Sequence, residues 1–153
     1  MTTPTLKELL QQFESRLMRL ENLAVDVCDE LRGRHDLPQK DVYIETLERT
    51  LLRLIKQWLV TIRHAMSVPE QYTDQKDGNY IQLEFVLGHA RGLSREFDMD
   101  TRWSSSDNRL KRLISDVSIT ALAALFCVHG IPVSEMSGLI SNDEIDARIS
   151  AHS

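Results

Sequence analysis

The chain has 153 residues, of which 42% are hydrophobic and 27% are charged, and its formal net charge is -5. These values are typical of one globular domain, so we expect a single domain over residues 1–153. The negative charge disfavours a protein that coats nucleic acid generally, and no apolar run approaches the roughly 20 residues of a membrane span. Cys28 and Cys127 lie within apolar helical patterns, which indicates reduced thiols and a cytoplasmic location.

The first predicted helix runs from about Pro4 to Arg32, with Thr3 as its N-cap and Gly33 as its end. Its apolar residues alternate between spacings of four and three, which is a coiled-coil-like pattern. We call this row the helix 1 seam, and it consists of Leu6, Leu10, Phe13, Leu17, Leu20, Ala24, Val27 and Leu31. Such a row needs a second apolar helix to cover it, so the pattern predicts packing of helix on helix.

Two interpretations of the helix 1 seam remain open at this point. In the first, the seam packs inside the chain against the next helix, and the two form an antiparallel hairpin. In the second, it pairs with another protein or with a second copy of the chain. The residues predicted to make that contact are Leu10, Phe13, Leu17 and Leu20, with Arg16 and Arg19 at the edge.

The second predicted helix runs from about Asp41 to Ser67 and has two apolar stripes. The first comprises Ile44, Leu47, Leu51, Leu54, Trp58, Thr61, Ala65 and Val68, and the second comprises Leu52, Ile55, Leu59, Ile62 and Met66. A helix that is apolar on two sides is usually covered from both. We therefore expect this helix to be the centre of the fold, with helix 1 on one side and the later helices on the other.

Further helices are predicted over Tyr80–Phe97 and Asp107–Val128, followed by a short helix from Ser134 to about Leu139. The run from Ser141 to Glu144 matches a capping box for a final helix that ends near Ala151. Only six glycines and four prolines interrupt the chain, which favours long helices. The predicted fold is all-α, a helical bundle of five or six helices with a long N-terminal helical hairpin.

Basic residues provide an alternative functional hypothesis. Four of them, Arg49, Arg53, Lys56 and Arg63, share one stripe of the second helix away from its apolar stripes. A second group, Arg91, Arg95, Arg102, Arg109, Lys111 and Arg112, surrounds Trp103, which could stack on a base. A solvated helix face with ordinary i, i+4 pairs, such as Glu45 with Arg49, is the favoured explanation of the first group. In the second group the interspersed Asp98, Asp100 and Asp107 weaken the basic character, and Trp103 could equally cap the core.

Motifs for catalysis or metal binding are absent from the sequence. There is no phosphate-binding glycine loop, no G-x-S-x-G turn and no H-E-x-x-H helix, and Cys127 and His129 lack a second pair of ligands at a useful spacing. We therefore expect no enzyme, cofactor or metal site. The leading hypothesis is a non-enzymatic interaction protein (an adaptor, a regulator or a small subunit of an assembly) that buries a helix face against a protein partner or a second copy of itself. The alternative is a nucleic-acid-associated module.

Overall fold

The structure, a computed structural model, describes residues 4–68, 72, 78–94, 107–138 and 141–151, and none of these forms a strand. The helices are α1 (Leu6–Arg32), α2 (Lys40–Glu45), α3 (Leu52–Ser67), α4 (Gly78–Arg91), α5 (Asp107–Val128) and α6 (Asn142–Ala151). A π-helical segment, Thr46–Leu51, joins α2 to α3, and a 3-10 helix, Val133–Gly138, precedes α6. The all-α prediction is confirmed, while the predicted helix end at Phe97 lies outside the described residues. Among the described helices, none combines the length and the apolar character needed to cross a bilayer.

The helices α1, α3, α4 and α5 surround one core. Each contacts two of the others: α1 lies against α3 and α5, and α4 lies against the same two helices. Two ion pairs show that α1 is antiparallel to the helix formed by the π-helical segment and α3. Glu14 pairs with Arg63 of α3 at 2.8 Å, and Arg32 pairs with Glu48 of the π-helical segment. The predicted helical hairpin is therefore present.

The orientation of α5 completes an up-down-up-down arrangement. Arg16, in the first half of α1, donates a hydrogen bond to the Thr120 hydroxyl in the second half of α5. Glu30, near the end of α1, lies 3.7 Å from the guanidinium of Arg109 at the start of α5. The hydroxyl of Tyr80 at the start of α4 donates to the last carbonyl of α5 at 3.4 Å. Hence α5 runs antiparallel to both α1 and α4.

The core takes fully buried side chains from all of these helices. They include Phe13, Leu17 and Leu20 of α1, Ile55 and Ile62 of α3, Leu83 and Leu87 of α4, and Val117, Ala121 and Ala124 of α5. The alanines of α5 are small, which allows close approach of α5 to the neighbouring helices. Hydrophobic burial by these four faces is the main stabilising term of the fold.

The second predicted helix is continuous from Lys40 to Ser67, but its middle is π-helical. The N–H of Leu52 bonds to the carbonyl of Leu47, five residues earlier, instead of four. This helix was predicted to be the centre of the fold, with helix 1 on one side and the later helices on the other; α1 and α4 do lie against α3. However, the side of α3 that carries Arg53, Lys56 and Val60 is exposed to solvent. The second helix therefore forms one wall of the bundle and is not its centre.

The ends of the helices have identifiable causes. Thr5, and not Thr3, caps α1, because its hydroxyl accepts the N–H of Glu8 at 3.1 Å; Thr3 lies outside the described residues. Gly130 ends the turn after α5 with a φ of 74°, a left-handed conformation that glycine adopts without steric penalty. The Ser141 hydroxyl accepts the N–H of Glu144 at 3.1 Å, as expected of the predicted cap of the final helix.

Candidate interaction surface

The structure places the helix 1 seam in the interior. Leu10, Phe13, Leu17 and Leu20 are at most 2% exposed, and the long helices that cover α1 are α3 and α5. These four residues therefore do not form an accessible contact surface in this fold, and the interpretation of the seam as internal packing is the one that the structure supports. Their apolar spacing looks the same in sequence whether the covering helix belongs to this chain or to another.

The two arginines at the edge of the seam have different surroundings. The half-buried Arg16 is held by Thr120, which in turn donates to the carbonyl of Asp116 at 2.7 Å. Arg19 is exposed and lies on the outer side of α1. Arg16 therefore joins α1 to α5, whereas Arg19 is accessible to a partner.

The outer face of the α1–α3 pair carries an open groove between the two helices. We call this face the α1–α3 surface. Its centre is an open groove of ≈ 570 Å³ lined by Glu21, Asn22, Val25, Asp26, Leu52 and Lys56. A second depression continues along α3 and shares Leu52 and Lys56 with the first. The other residues that line the second depression are Glu48, Arg53 and Gln57, so it lies on the outer side of the second helix and opens into the groove between α1 and α3. We call the groove and this depression together the trough.

Apolar side chains occur at the centre of this trough and toward one of its ends. Met18 and Val25, two turns apart on α1, are 43% and 44% exposed. Val60, four residues after Lys56 on α3, is 71% exposed, and Leu52 is half-buried in the groove. The Sδ atom of Met18 also lies 3.7 Å from Nη2 of Arg63, which places Met18 beside α3. Apolar groups that line a groove between helices are typical of a contact surface.

Charges on this surface are separated by sign. On the α1 side, the carboxylates that line the groove are those of the half-buried Glu21 and the exposed Asp26, and Arg19 is the exception to the acidic character of this side. On the α3 side, Arg53 and Lys56 are exposed. Neither Asp26 nor these two cations forms an ion pair with any residue that the structure describes. Glu48 also lines the basic side, but it is paired with Arg32 of α1. Apart from Arg19, the trough therefore has an acidic edge on α1 and a basic edge on α3, and the charges of Asp26, Arg53 and Lys56 are available to a partner.

The first basic group predicted for nucleic-acid contact is only partly available. Arg49 pairs with Glu45 at 3.2 Å, and Arg63 pairs with Glu14 at 2.8 Å. Arg53 and Lys56 are the members of that stripe without a carboxylate partner in the described ranges. Because acidic residues of α1 line the same trough, a phosphate backbone lying in it would be repelled on one side.

The second basic group is divided between different parts of the fold. Arg91 of α4 is 14% exposed at its side chain and pairs with Asp146 of α6 at 2.7 Å. Arg109 pairs with Glu30, and Lys111 and Arg112 follow it on α5. The predicted contacts Arg95, Arg102 and Trp103 lie outside the described residues. The described members include two that already hold helices together, which reduces the surface available to nucleic acid.

A smaller apolar surface lies on α4. Phe85 is 70% exposed and Ile81, one turn earlier, is 57% exposed. The Phe85 ring lies 5.9 Å from the His89 ring, and His89 in turn makes an edge contact of 5.6 Å with the buried Trp58. Sequence periodicity did not indicate this pair, because α4 has no strong apolar or polar face and its exposed side was not distinguishable.

The residues considered for metal binding do not form a metal site in the described structure. Cys127 lies near the end of α5, and burial raises the pKa of its thiol. His129 is buried, and its Nε2 lies 3.4 Å from a carboxylate oxygen of Glu84. Within the ranges described, no group of three or more His, Cys, Asp or Glu side chains has a geometry that could hold an ion.

Comparison with known proteins adds no relative: no family model, no curated protein and no solved structure matches this chain.

Proposed function

We propose that this chain is a non-enzymatic helical interaction protein, an adaptor, regulator or small subunit of an assembly, and that it binds a protein partner at the α1–α3 surface. The single observation that supports this function is the trough itself, in which exposed Met18, Val25 and Val60 lie between an acidic and a basic edge. Burying such side chains against a partner helix removes apolar area from water. The two charged edges would orient that partner.

The contact differs from the one that the sequence suggested, although the mode of binding is the same. The helix 1 seam is already covered by helices of the same chain, so the opposite side of α1 and the adjacent side of α3 supply the helix face. We place the protein in the cytoplasm, because Cys28 and Cys127 are both free thiols and such thiols persist in reducing compartments.

A capture experiment with matched variants tests this proposal. The tagged chain would be recovered from its native lysate, alongside Met18→Gln and Val25→Gln, which remove apolar groups but keep a residue that favours helices. Val42→Gln is the control, because Val42 is 61% exposed on α2, outside the trough. We expect one defined protein, this chain itself included, to be retained by the control and lost with both trough variants. Equal recovery of that protein with all variants would contradict the proposal.

Nuclease treatment of the same lysate separates the alternative function. If the basic residues Arg53 and Lys56 bind nucleic acid, the retained material would include nucleic acid and would disappear after digestion or at high salt. The charge-reversing variant Lys56→Glu would then release it, while Met18→Gln would not. We expect instead that the retained protein survives nuclease treatment and is lost with Met18→Gln, since the acidic edge of the trough repels a polyanion.

A further inference from the structure

We propose that the occupant of the α1–α3 surface is a second copy of this chain, related to the first by a two-fold axis parallel to the helices. This inference rests on the proposed function, because it assigns a partner to the same surface. It is carried by the separation of charges across the trough and by the heights at which particular residues lie along the two helices.

Symmetry and charge together select one arrangement. A symmetric dimer presents the same surface from both copies, so the surface must be complementary to itself. With a two-fold axis across the helices, the acidic edge of α1 would meet the acidic edge of the other copy. With the axis parallel to the helices, the acidic edge of each copy meets the basic edge of the other. Opposite charges then face each other on both sides of the axis.

The intrachain ion pairs show which residues meet in this arrangement. An axis parallel to the helices leaves every residue at its own height, so a residue of α1 faces the α3 residue that is level with it. The pairs Glu14–Arg63 and Arg32–Glu48 set these heights at both ends of the trough. Interpolating between them places Asp26 level with Arg53, and these exposed residues carry opposite charges.

The same interpolation matches the apolar side chains. Met18 lies level with Val60, and both are substantially exposed in the single chain. Across the proposed interface, Met18 of each copy would therefore contact Val60 of the other. An apolar contact toward one end and the Asp26–Arg53 pair toward the other would occur twice, once on each side of the axis.

The face is large enough for a stable dimer. Helix α1 has 27 residues and is therefore about 40 Å long. Two neighbouring helices, about 10 Å apart, give a face about 20 Å wide. The product is a footprint of about 800 Å² for each copy, which is comparable in size to the area that a standard protein interface buries on each partner.

A charge-swap series tests the dimer. Sedimentation equilibrium of the full chain over about 1 to 100 μM would give the dimer dissociation constant. Asp26→Arg or Arg53→Asp alone places like charges opposite each other twice, so we expect each to raise that constant about tenfold or more. The double variant restores opposite charges and should return the constant to within about threefold of the unmodified chain. Added salt should weaken the unmodified dimer.

The control is Phe85→Gln, which changes the exposed apolar side chain of α4 and should leave the dissociation constant unchanged. A monomeric mass at every concentration, no recovery in the double variant, or loss of the dimer in Phe85→Gln would each overturn the proposal. A monomeric chain that still loses a different protein with Met18→Gln would overturn the dimer while the proposed function stands. A chain that is monomeric and retains no partner at this surface would overturn both.

Discussion

Leu17 offers the sharpest test of the position of the helix 1 seam, because it is fully buried next to a half-exposed residue of similar size. Replacing Leu17 by Ala removes three carbons from a site with 0% exposure. Such a cavity destabilises a protein by about 2–5 kcal/mol, a large part of the about 5–15 kcal/mol that stabilises an ordinary domain. With a typical dependence on urea, the unfolding midpoint should fall by about 1–2 M.

The matched control is Met18→Ala, one residue further along and 43% exposed. Because nearly half of its side chain is already in water in the monomer, the substitution should lower the free energy of unfolding by about 1 kcal/mol or less, clearly less than Leu17→Ala. Circular dichroism during urea titration measures both variants, at a concentration low enough to keep the chain monomeric. Equal midpoints for Leu17→Ala and Met18→Ala would refute the conclusion that the seam is the core.

Three further predictions concern the ends of helices and the thiols. Thr5→Ala removes the cap of α1 and should lower the free energy of unfolding by about 1 kcal/mol, as measured by thermal denaturation; no change would contradict the assigned cap. Arg148 donates two hydrogen bonds to the Glu135 carboxylate at 2.6–2.9 Å. Arg148→Ala should therefore speed amide hydrogen exchange in α6 severalfold and leave exchange in α1 unchanged. The same exchange rates in α6 of the variant and the unmodified chain would contradict this prediction. Burial, followed by the nearby Glu48 carboxylate, raises the pKa of the Cys28 thiol, so its alkylation at neutral pH should be much slower than in the unfolded chain and should accelerate only at more alkaline pH. Equal rates in the folded and unfolded chains would show that Cys28 is accessible.

The helices were predictable because each carries a periodic apolar pattern. The helix 1 seam and the two stripes of the second helix are regular enough to specify helical structure and the buried face. The final helix followed from its capping residues at Ser141 and Glu144. Apolar periodicity and capping residues are local signals, so they indicate a helix regardless of how the rest of the chain folds.

The neighbours of α1 were only partly predictable: its hairpin with the second helix was expected, whereas its contact with α5 was not. Apolar spacing shows that α1 must be covered, but it does not show whether α3, α5 or another chain covers it. The π-helical segment at Thr46–Leu51 left no signal either, since it changes the hydrogen bonding between residues that are equally suited to an α-helix. Tertiary packing, and not propensity, decides both features.

The candidate surface depends on the same missing information. Arg53 and Lys56 were recognised in the sequence as part of a basic stripe that could contact nucleic acid. In the fold, α1 lies beside them with Asp26 on its outer side, so they form the basic edge of a surface whose other edge is acidic. The sequence analysis did not single out Met18, Val25 and Val60, because the separation of Val60 from the other two along the chain hides their proximity in the fold. The antiparallel pairing of α1 with α3 brings these groups into one trough.

The most direct test of the α1–α3 surface is site-specific photo-cross-linking in the living cell. A photoreactive amino acid would replace Val25 in the trough or, as a control, Val42 on α2. We expect a discrete cross-linked species from Val25 and none from Val42, with a mass of twice that of the chain if the partner is a second copy. No discrete species from Val25, or the same species from both positions, would contradict the assignment of this surface as the contact site.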